Sequence, residues 1–395
     1  MIFWVVVILI LLYFLYIFLV SLRKDFMVYE KSSIQHHFAI LIPARNEEQV
    51  IGPLIESLQK QEYSNTAYDI YVLVNNSQDQ TEKIALNQGT RVIHMDREVR
   101  SKAEVLKVAF EKLQSDSKIE AYIILDADNL ADAQFLEQMN RAYGHGYQLY
   151  QGRRTGKNIQ DSWLSSCYEV FYILQNMVFN HAHMQKGHSA SLNGTAWMMK
   201  RSFLKEYGFP VELLTEDIEL SAIAALKGER IGYVHEAFVY DEYPATIKMA
   251  WIQLRRWVFG QLQCMRRYAY CLLKEGVRKH SFVCLDMFVI LVAPILFLIA
   301  LVVLIGMCLF QDGFVQWLFR SIGWILLVVY GLIVWVQCLA VRKNGTKLIR
   351  VWKGIVFFPL FVMLFIPMIF LNLCRKKAEW KPVIHDRKLK IEDMK

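Results

Sequence analysis

Apolar and polar positions fall into three textures along this chain. From Ile2 to Val20 nearly every residue is apolar, and the run is long enough for a helix to cross a bilayer. From His36 to about Tyr243 short apolar runs alternate with polar stretches of helical period. From Thr246 onward long apolar stretches return. The middle texture predicts strands over Phe38–Ile42, Ile70–Val74, Arg91–His94 and Tyr122–Leu125. It predicts helices over Glu47–Gln61, Gln80–Gln88 and Ser101–Leu113. Strands alternating with helices of this length imply a mostly parallel sheet with helices on both faces. Ligands on such sheets sit beyond the carboxyl ends of the strands. The polar clusters PARNEE, NNSQDQ and DADN follow the first, second and fourth strands, where that rule puts them.

The flanking textures read as membrane segments. Arg23 and Lys24 follow the first apolar run, and a basic start and a small-residue cleavage site are missing. An uncleaved anchor is therefore expected rather than a signal peptide, with the next domain on the cytoplasmic side. In Thr246–Glu275, Val258, Leu262, Met265, Ala269 and Leu272 repeat at steps of four and three, with Arg255, Arg266, Arg267 and Lys274 off that face. This predicts an amphipathic helix, read as lying along a membrane surface. Val283–Phe310 and Ile322–Val341 read as transmembrane helices joined by an outer loop carrying Arg320. Arg342, Lys343, Lys347 and Arg350 read as a cytoplasmic loop. Ile355–Cys374 is interrupted by Pro359 and Pro367 and followed by Arg375, Lys376 and Lys377. A re-entrant or interfacial hairpin fits both facts better than a full span.

Composition sharpens this. Of 395 residues 55% are hydrophobic, and the mean hydropathy is +0.24, too apolar for an ordinary soluble protein. The net charge of +8 suits cytoplasmic loops near anionic lipid. A basic, aromatic-interleaved patch is missing, which argues against nucleic-acid binding. The seven cysteines form no CxxC pair, which argues against structural zinc and a disulfide framework.

Three motifs carry candidate chemistry. Asp126 and Asp128 end a strand as D-x-D. Magnesium and manganese take oxygen ligands and often only one or two protein carboxylates, the rest coming from phosphates and water. The same residues serve equally as caps and turn formers. In LLTEDIEL, Thr215 can cap a helix, and Glu216 and Asp217 suit its first turn. Alternatively Asp217 accepts a proton from an attacking hydroxyl, with Glu216 raising its pKa. In QLRRW, arginine offers a planar fork for phosphate and Trp257 a flat face for a sugar. The alternative is headgroup contact and an interface anchor.

Taken in order, PARNEE, LDADN, TED and QLRRW, within an alternating domain followed by an amphipathic helix and spans, resemble the membrane-embedded family 2 glycosyltransferases. Cellulose, hyaluronan and poly-N-acetylglucosamine synthases belong there. The resemblance runs from about Phe38 to Trp257. It implies an α/β fold: a GT-A nucleotide-sugar domain, with a mostly parallel sheet and helices on both faces, plus transmembrane helices. It implies that Pro43, Ala44, Arg45, Asn46 and Glu47 hold the nucleotide, with Lys102, Asp126, Gln253 and Arg256. Asn75 and Asn76 stand where the family has an aspartate near uracil, which leaves uridine selection less secure. Asp128 becomes the ligand of Mg2+ or Mn2+, Asp217 the base with Glu216 beside it, and Trp257, Gly194 and Thr195 the acceptor contacts. GRRTGKN (152–158) is read as a basic, glycine-rich loop that either is simply solvated or touches phosphate or acceptor. WKPVIH (380–385) is read as a tail segment able to fold over the nucleotide.

The expected organisation is an anchor (1–22), a cytoplasmic glycosyltransferase domain (36–245) and interface helices with QxxRW (246–278). Two transmembrane helices (283–341), a proline-interrupted membrane segment, re-entrant or spanning (351–374), and a basic cytoplasmic tail (375–395) follow. The expected activity is inverting, metal-dependent transfer from a nucleotide-diphosphate sugar, UDP-glucose or UDP-N-acetylglucosamine, at the plasma membrane. QxxRW and the interface helix favour a processive β-linked polysaccharide synthase, with a homo-oligomer or export partner completing its channel. The alternative is one transfer to a lipid carrier or glycolipid. A non-catalytic receptor is disfavoured by intact D-x-D and TED.

Overall fold

Residues Phe38–Ala44 form a strand buried along nearly its whole length, because both faces of its sheet are covered. Alternate side chains go opposite ways. Ala39 and Leu41 join one core with Val105, Leu106 and Ala109. Phe38, Ile40 and Ile42 join another with Leu54, Ile55 and Leu58. The structure is a computed structural model describing residues 2–23, 25–310, 314–373, 375 and 387–394.

Among the described residues eight strands make one sheet: β1 (Phe38–Ala44), β2 (Tyr68–Val74), β3 (Arg91–His94), β4 (Ala121–Ile124), β5 (Leu130–Ala131), β6 (Leu149–Gly156), β7 (Trp197–Lys200) and β8 (Ile231–Asp241). Their order is β3-β2-β1-β4-β7-β6-β8-β5. β1 pairs in parallel with β2 and β4, and β2 with β3. β7 runs antiparallel to β4 and β6, β6 pairs in parallel with β8, and β5 is antiparallel to β8. The four strands expected from the sequence, β1 to β4, pair in parallel with one another. β1 leads outward to β2, while β4 lies on its other side. The loops after β1 and β4 therefore part and leave a crevice at the strand ends.

The helices are α1 (Ile2–Arg23), α2 (Ile51–Gln59), α3 (Thr81–Asn87), α4 (Lys102–Leu113), α5 (Phe135–Tyr143), α6 (Trp163–Leu174), α7 (His183–Gln185), α8 (Arg201–Tyr207), α9 (Glu216–Lys227), α10 (Ile247–Arg278), α11 (Phe282–Phe310), α12 (Phe314–Lys343), α13 (Leu348–Met363) and α14 (Phe365–Leu373). A π-helical stretch, Gln175–Ala182, joins α6 to α7. Three helical runs among the described residues are long and apolar enough to cross a membrane: Phe3–Leu22, Phe282–Val303 and Leu348–Leu373.

Four local expectations change. The helix expected from Glu47 starts at Ile51. Arg320 lies inside α12 rather than in a loop. GRRTGKN is largely strand: Gly152–Gly156 complete β6, and the β6–β8 pairing draws both arginines into the interior. The last apolar stretch is not a hairpin. Leu364, between α13 and α14, keeps helical angles (φ −63°, ψ −26°), so the chain continues through a bend. WKPVIH lies outside the described residues.

α10 carries QLRRW and is pressed against the start of α9. A Cβ at Gly260 would overlap the Thr215 side chain, so only glycine allows this approach. The contact fixes QLRRW on one side of TED. α13 packs on α6, where Gly354 meets the backbone of Ser166 and its N–H donates to Ser166 Oγ at 2.8 Å.

Candidate active site

One continuous cavity of about 1040 Å3 runs from the strand ends into the apolar helices. Its first wall is the loop after β1, where Pro43, Ala44, Arg45 and Glu47 line it, with Asn75 opposite. Asn46 and Asn76 do not line it. Both adopt left-handed backbone (φ 58° and 50°). Asn46 ties two loops together: its N–H donates to Ser77 Oγ (3.1 Å), and its Oδ1 accepts from the Gln78 N–H (2.8 Å). Asn75 is buried, and its Oδ1 has no protein partner.

The D-x-D segment is held by its own asparagine. Asn129 Oδ1 accepts from the Asp126 N–H (3.1 Å) and from Thr195 Oγ1 (2.5 Å), and its Nδ2 donates to Asp241 Oδ1 (2.8 Å). Thr195 Oγ1 also accepts from the Asp126 N–H (3.0 Å). Thr195 is thus wholly buried behind Asp126, and is placed to position that loop rather than an acceptor. Lys157 Nζ donates to the Asp128 carbonyl (2.9 Å) and pairs with Glu242 (2.8 Å). Asp126 and Asp128 both line the cavity.

Lys102 opens α4 after Ser101, whose side chain accepts from the Glu104 N–H. The cap aims Nζ at three oxygens: Asp126 Oδ1 (2.5 Å), Glu216 Oε1 (3.1 Å) and the Gly194 carbonyl (2.6 Å). One ammonium thereby joins D-x-D to TED. Burial alone would lower its pKa, but Asp126 and Glu216 outweigh it and raise the value. Asp217, deep in the protein yet open to the cavity, is pushed up to about 7. Burial is the main cause and Glu216 the second, opposed by the Ile218 N–H, Lys102 and Arg154. A carboxylate so placed exchanges protons near neutrality. Gln253, Arg256 and Trp257 line the cavity one helix away. Trp257 packs edge-on against Tyr168 and Tyr172, with ring centroids 5.9 and 6.3 Å apart.

Several lining residues were not singled out from the sequence. Arg154 pairs with Asp241, donates to the Asn193 carbonyl, and lies 4.2 Å over the Tyr172 ring. Asp241 is raised to about 6, mainly by burial, against the pull of Arg154 and with Asp128 adding to the rise. Arg154 lies within the basic string, whose sequence reads as loop. Asp241 and Glu242 end a strand that carried no motif. Arg387 of the C-terminal segment also docks here: its guanidinium pairs with Asp161 (2.8 Å), and its carbonyl accepts from Lys157 (3.2 Å).

Beyond Trp257 the cavity changes character. Phe297 and Leu298 of α11, Phe358 and Val362 of α13, and Phe365 and Ile369 of α14 line it. Among the described residues, every lining side chain from α1, α11, α13 and α14 is apolar.

A family model described as "Glycosyltransferase like family 2" matches residues 36–260. The chain belongs to this family. Residues 36–260 of this family 2 glycosyltransferase include all four motifs. Among its relatives is a beta-monoglucosyldiacylglycerol synthase of Trichormus variabilis, 26% identical over 61% of this chain and 53% of the relative. Another is a poly-beta-1,6-N-acetyl-D-glucosamine synthase of Staphylococcus aureus, 24% identical over 59% of this chain and 57% of the relative. The chain spans about half the length of the curated relatives it matches. A mannosyltransferase of Pyrobaculum calidifontis, solved with GDP-Man and Mn2+, superposes with a TM-score of 0.63 over 93% of this chain and 95% of that one, at 16% identity. That likeness is one of fold, the GT-A arrangement of a mixed sheet between helices.

Proposed function

We propose that this protein is an inverting hexosyltransferase that moves a sugar from a nucleotide-diphosphate donor, a UDP-sugar first, onto a hydroxyl of a membrane lipid. The observation that carries the reading is the two-part cavity: carboxylates and a base at the strand ends, continuous with an apolar space between α11, α13 and α14. A glycan leaving through that space would meet only apolar side chains from α1, α11, α13 and α14, with Gln175 and Gln261 the amides beside them, whereas a hydrocarbon chain matches those four helices. This supports the single-transfer alternative over the processive synthase that QxxRW favours. A lipid product needs no export partner.

The nucleotide lies between the Pro43–Glu47 loop and Asn75, whose open Oδ1 can accept from a base N–H. Asp217 accepts the proton of the acceptor hydroxyl. The hydroxyl oxygen forms its bond to the anomeric carbon as the bond to the diphosphate breaks from the opposite face, so an α-linked donor gives a β-linked product. A phosphate acceptor would arrive already ionised and would not need this base, which favours a neutral hydroxyl. Arg256 faces the leaving diphosphate. The oxygen donors of Asp128 and Asp126 suit a hard cation, and no cluster of three or more metal-binding side chains exists among the described residues. Asp128 would therefore hold Mg2+ or Mn2+ together with the diphosphate, and the cation would offset the charge of the leaving group. Arg23 and Lys24, with the basic 342–350 segment, favour the cytoplasmic face of the plasma membrane.

The test is product analysis. Membranes containing the protein are incubated with radiolabelled UDP-glucose or UDP-N-acetylglucosamine and Mn2+ or Mg2+. One organic-extractable labelled lipid is expected. A ladder of water-soluble polymer would overturn the lipid assignment in favour of the processive reading.

A further inference from the structure

The loop entering β7 is tied down almost atom by atom. The Asn193 N–H donates to Gln151 Oε1 (3.0 Å), and the Asn193 carbonyl accepts from Arg154. The Gly194 carbonyl accepts from Lys102 (2.6 Å), the Thr195 carbonyl from Gln151 Nε2 (2.9 Å) and the Ala196 carbonyl from the Gly152 N–H (2.7 Å). Gly194 and Ala196 hold left-handed backbone, φ 88° and 57°. A loop so constrained does not relax to satisfy a stray side chain.

One side chain in it is unsatisfied. Asn193 is 6% exposed and lines the cavity, yet neither its Oδ1 nor its Nδ2 meets a protein partner. Other buried asparagines differ. Asn129, Asn140 and Asn158 each use both ends of the amide. Among the described asparagines Asn193 alone has both atoms buried and unmet. Buried polar groups are normally paired, so an amide held rigidly with both ends open is set for a ligand that offers a donor and an acceptor. A sugar hydroxyl, or a vicinal pair, does so. The position also fits. A Cβ on the adjacent Gly194 would lie 3.8 Å from Asp217 Oδ2 and 3.3 Å from Arg154 Nη1, so the residue next to Asn193 stands beside the base, and Asn193 and Asp217 line the same cavity.

We propose that the Asn193 amide binds a hydroxyl at the reacting centre and helps set which sugar or acceptor is used. The inference rests on the hexosyltransferase reading. The hydroxyl can belong to the transferred hexose or to the acceptor, and two assays separate these sources. Asn193→Ala and Asn193→Ser are compared with wild type in detergent. One assay measures binding of UDP, UDP-glucose and UDP-galactose with Mn2+. The other measures transfer from UDP-glucose to dioleoylglycerol in mixed micelles.

If the hydroxyl is the donor's, the affinity of UDP-glucose relative to UDP falls roughly 10- to 100-fold in Asn193→Ala, and the preference between the two epimers narrows. If it is the acceptor's, those ratios hold and the KM for dioleoylglycerol rises by a similar factor. In either case Asn193→Ser, which keeps a hydroxyl, recovers part of the loss. Unchanged ratios and an unchanged acceptor KM would overturn the proposal, as would equal loss of UDP and UDP-hexose binding with a lowered melting temperature in both variants. Failure of wild type to bind any UDP-hexose would instead strike the hexosyltransferase reading itself.

Discussion

The two halves of the cavity are built on opposite principles. The strand-end half is polar and cross-linked: Lys102 binds Asp126, Glu216 and Gly194, while Asn129 binds Asp126, Thr195 and Asp241. The membrane half presents only apolar side chains from α1, α11, α13 and α14. The first half fixes a few atoms in place, as chemistry on a charged donor requires. The second sets shape and polarity, which suits a chain held by burial rather than by directed bonds. On the proposed reading, the sugar transfer and the holding of the acceptor's hydrocarbon chain fall to separate parts of one cavity, whose linings meet near Trp257 and Asp217.

That division can be broken experimentally. The largest effect is expected from Asp217→Asn, which removes the proposed base: transfer falls about 10²- to 10⁴-fold, while titration with UDP and Mn2+ still shows nucleotide binding. A matching loss of nucleotide affinity would merge the roles assigned to Asp217 and Asp128. Next come Phe365→Ala and Leu298→Ala in the apolar half. Each is expected to reduce kcat/KM for a lipid acceptor about 10- to 100-fold and to leave acceptor-free UDP-glucose hydrolysis unchanged. An equal fall in hydrolysis would show that the halves are not separate.

The smallest expected effect sharpens the polar half. As the proposed base, Asp217 would have to be ionised to act, so kcat/KM is expected to rise with pH through about 7. Glu216 raises that value, so Glu216→Gln moves the acid limb to lower pH, measured as a pH–rate profile. The stability linkage has the opposite direction. The carboxyl's pKa is raised from 3.8 to about 7 in the folded protein. The protonated group's contribution to stability is therefore complete below about pH 4 and is lost as pH rises through 7.

Much of the polar half was legible in sequence because its residues sit where local rules place them. Asp126 and Asp128 follow an apolar strand, Lys102 opens a capped helix, and Glu216 and Asp217 fill a first helical turn. Of the residues named for the site, only Asn46, Asn76 and Thr195 fall off the cavity wall, and each instead holds or turns the loops that form it. Arg154, Asp241 and Asn193 escaped because their roles depend on partners far along the chain. Arg154 and Asp241 are 87 residues apart. Asn193 is defined by hydrogen bonds it lacks, which no local pattern records.

The sequence by itself determined the alternating domain, the apolar flanks and the ordered motifs, since periodicity and chain order are one-dimensional properties. The tertiary structure decided that GRRTGKN is a buried strand, that the last apolar run bends without reversing, and that the catalytic crevice opens into the helix bundle. Those features depend on strand pairing, on the close approach of Gly260 to Thr215 and of Gly354 to Ser166, and on which helix faces meet. Each is a contact between distant residues, fixed only when the chain packs.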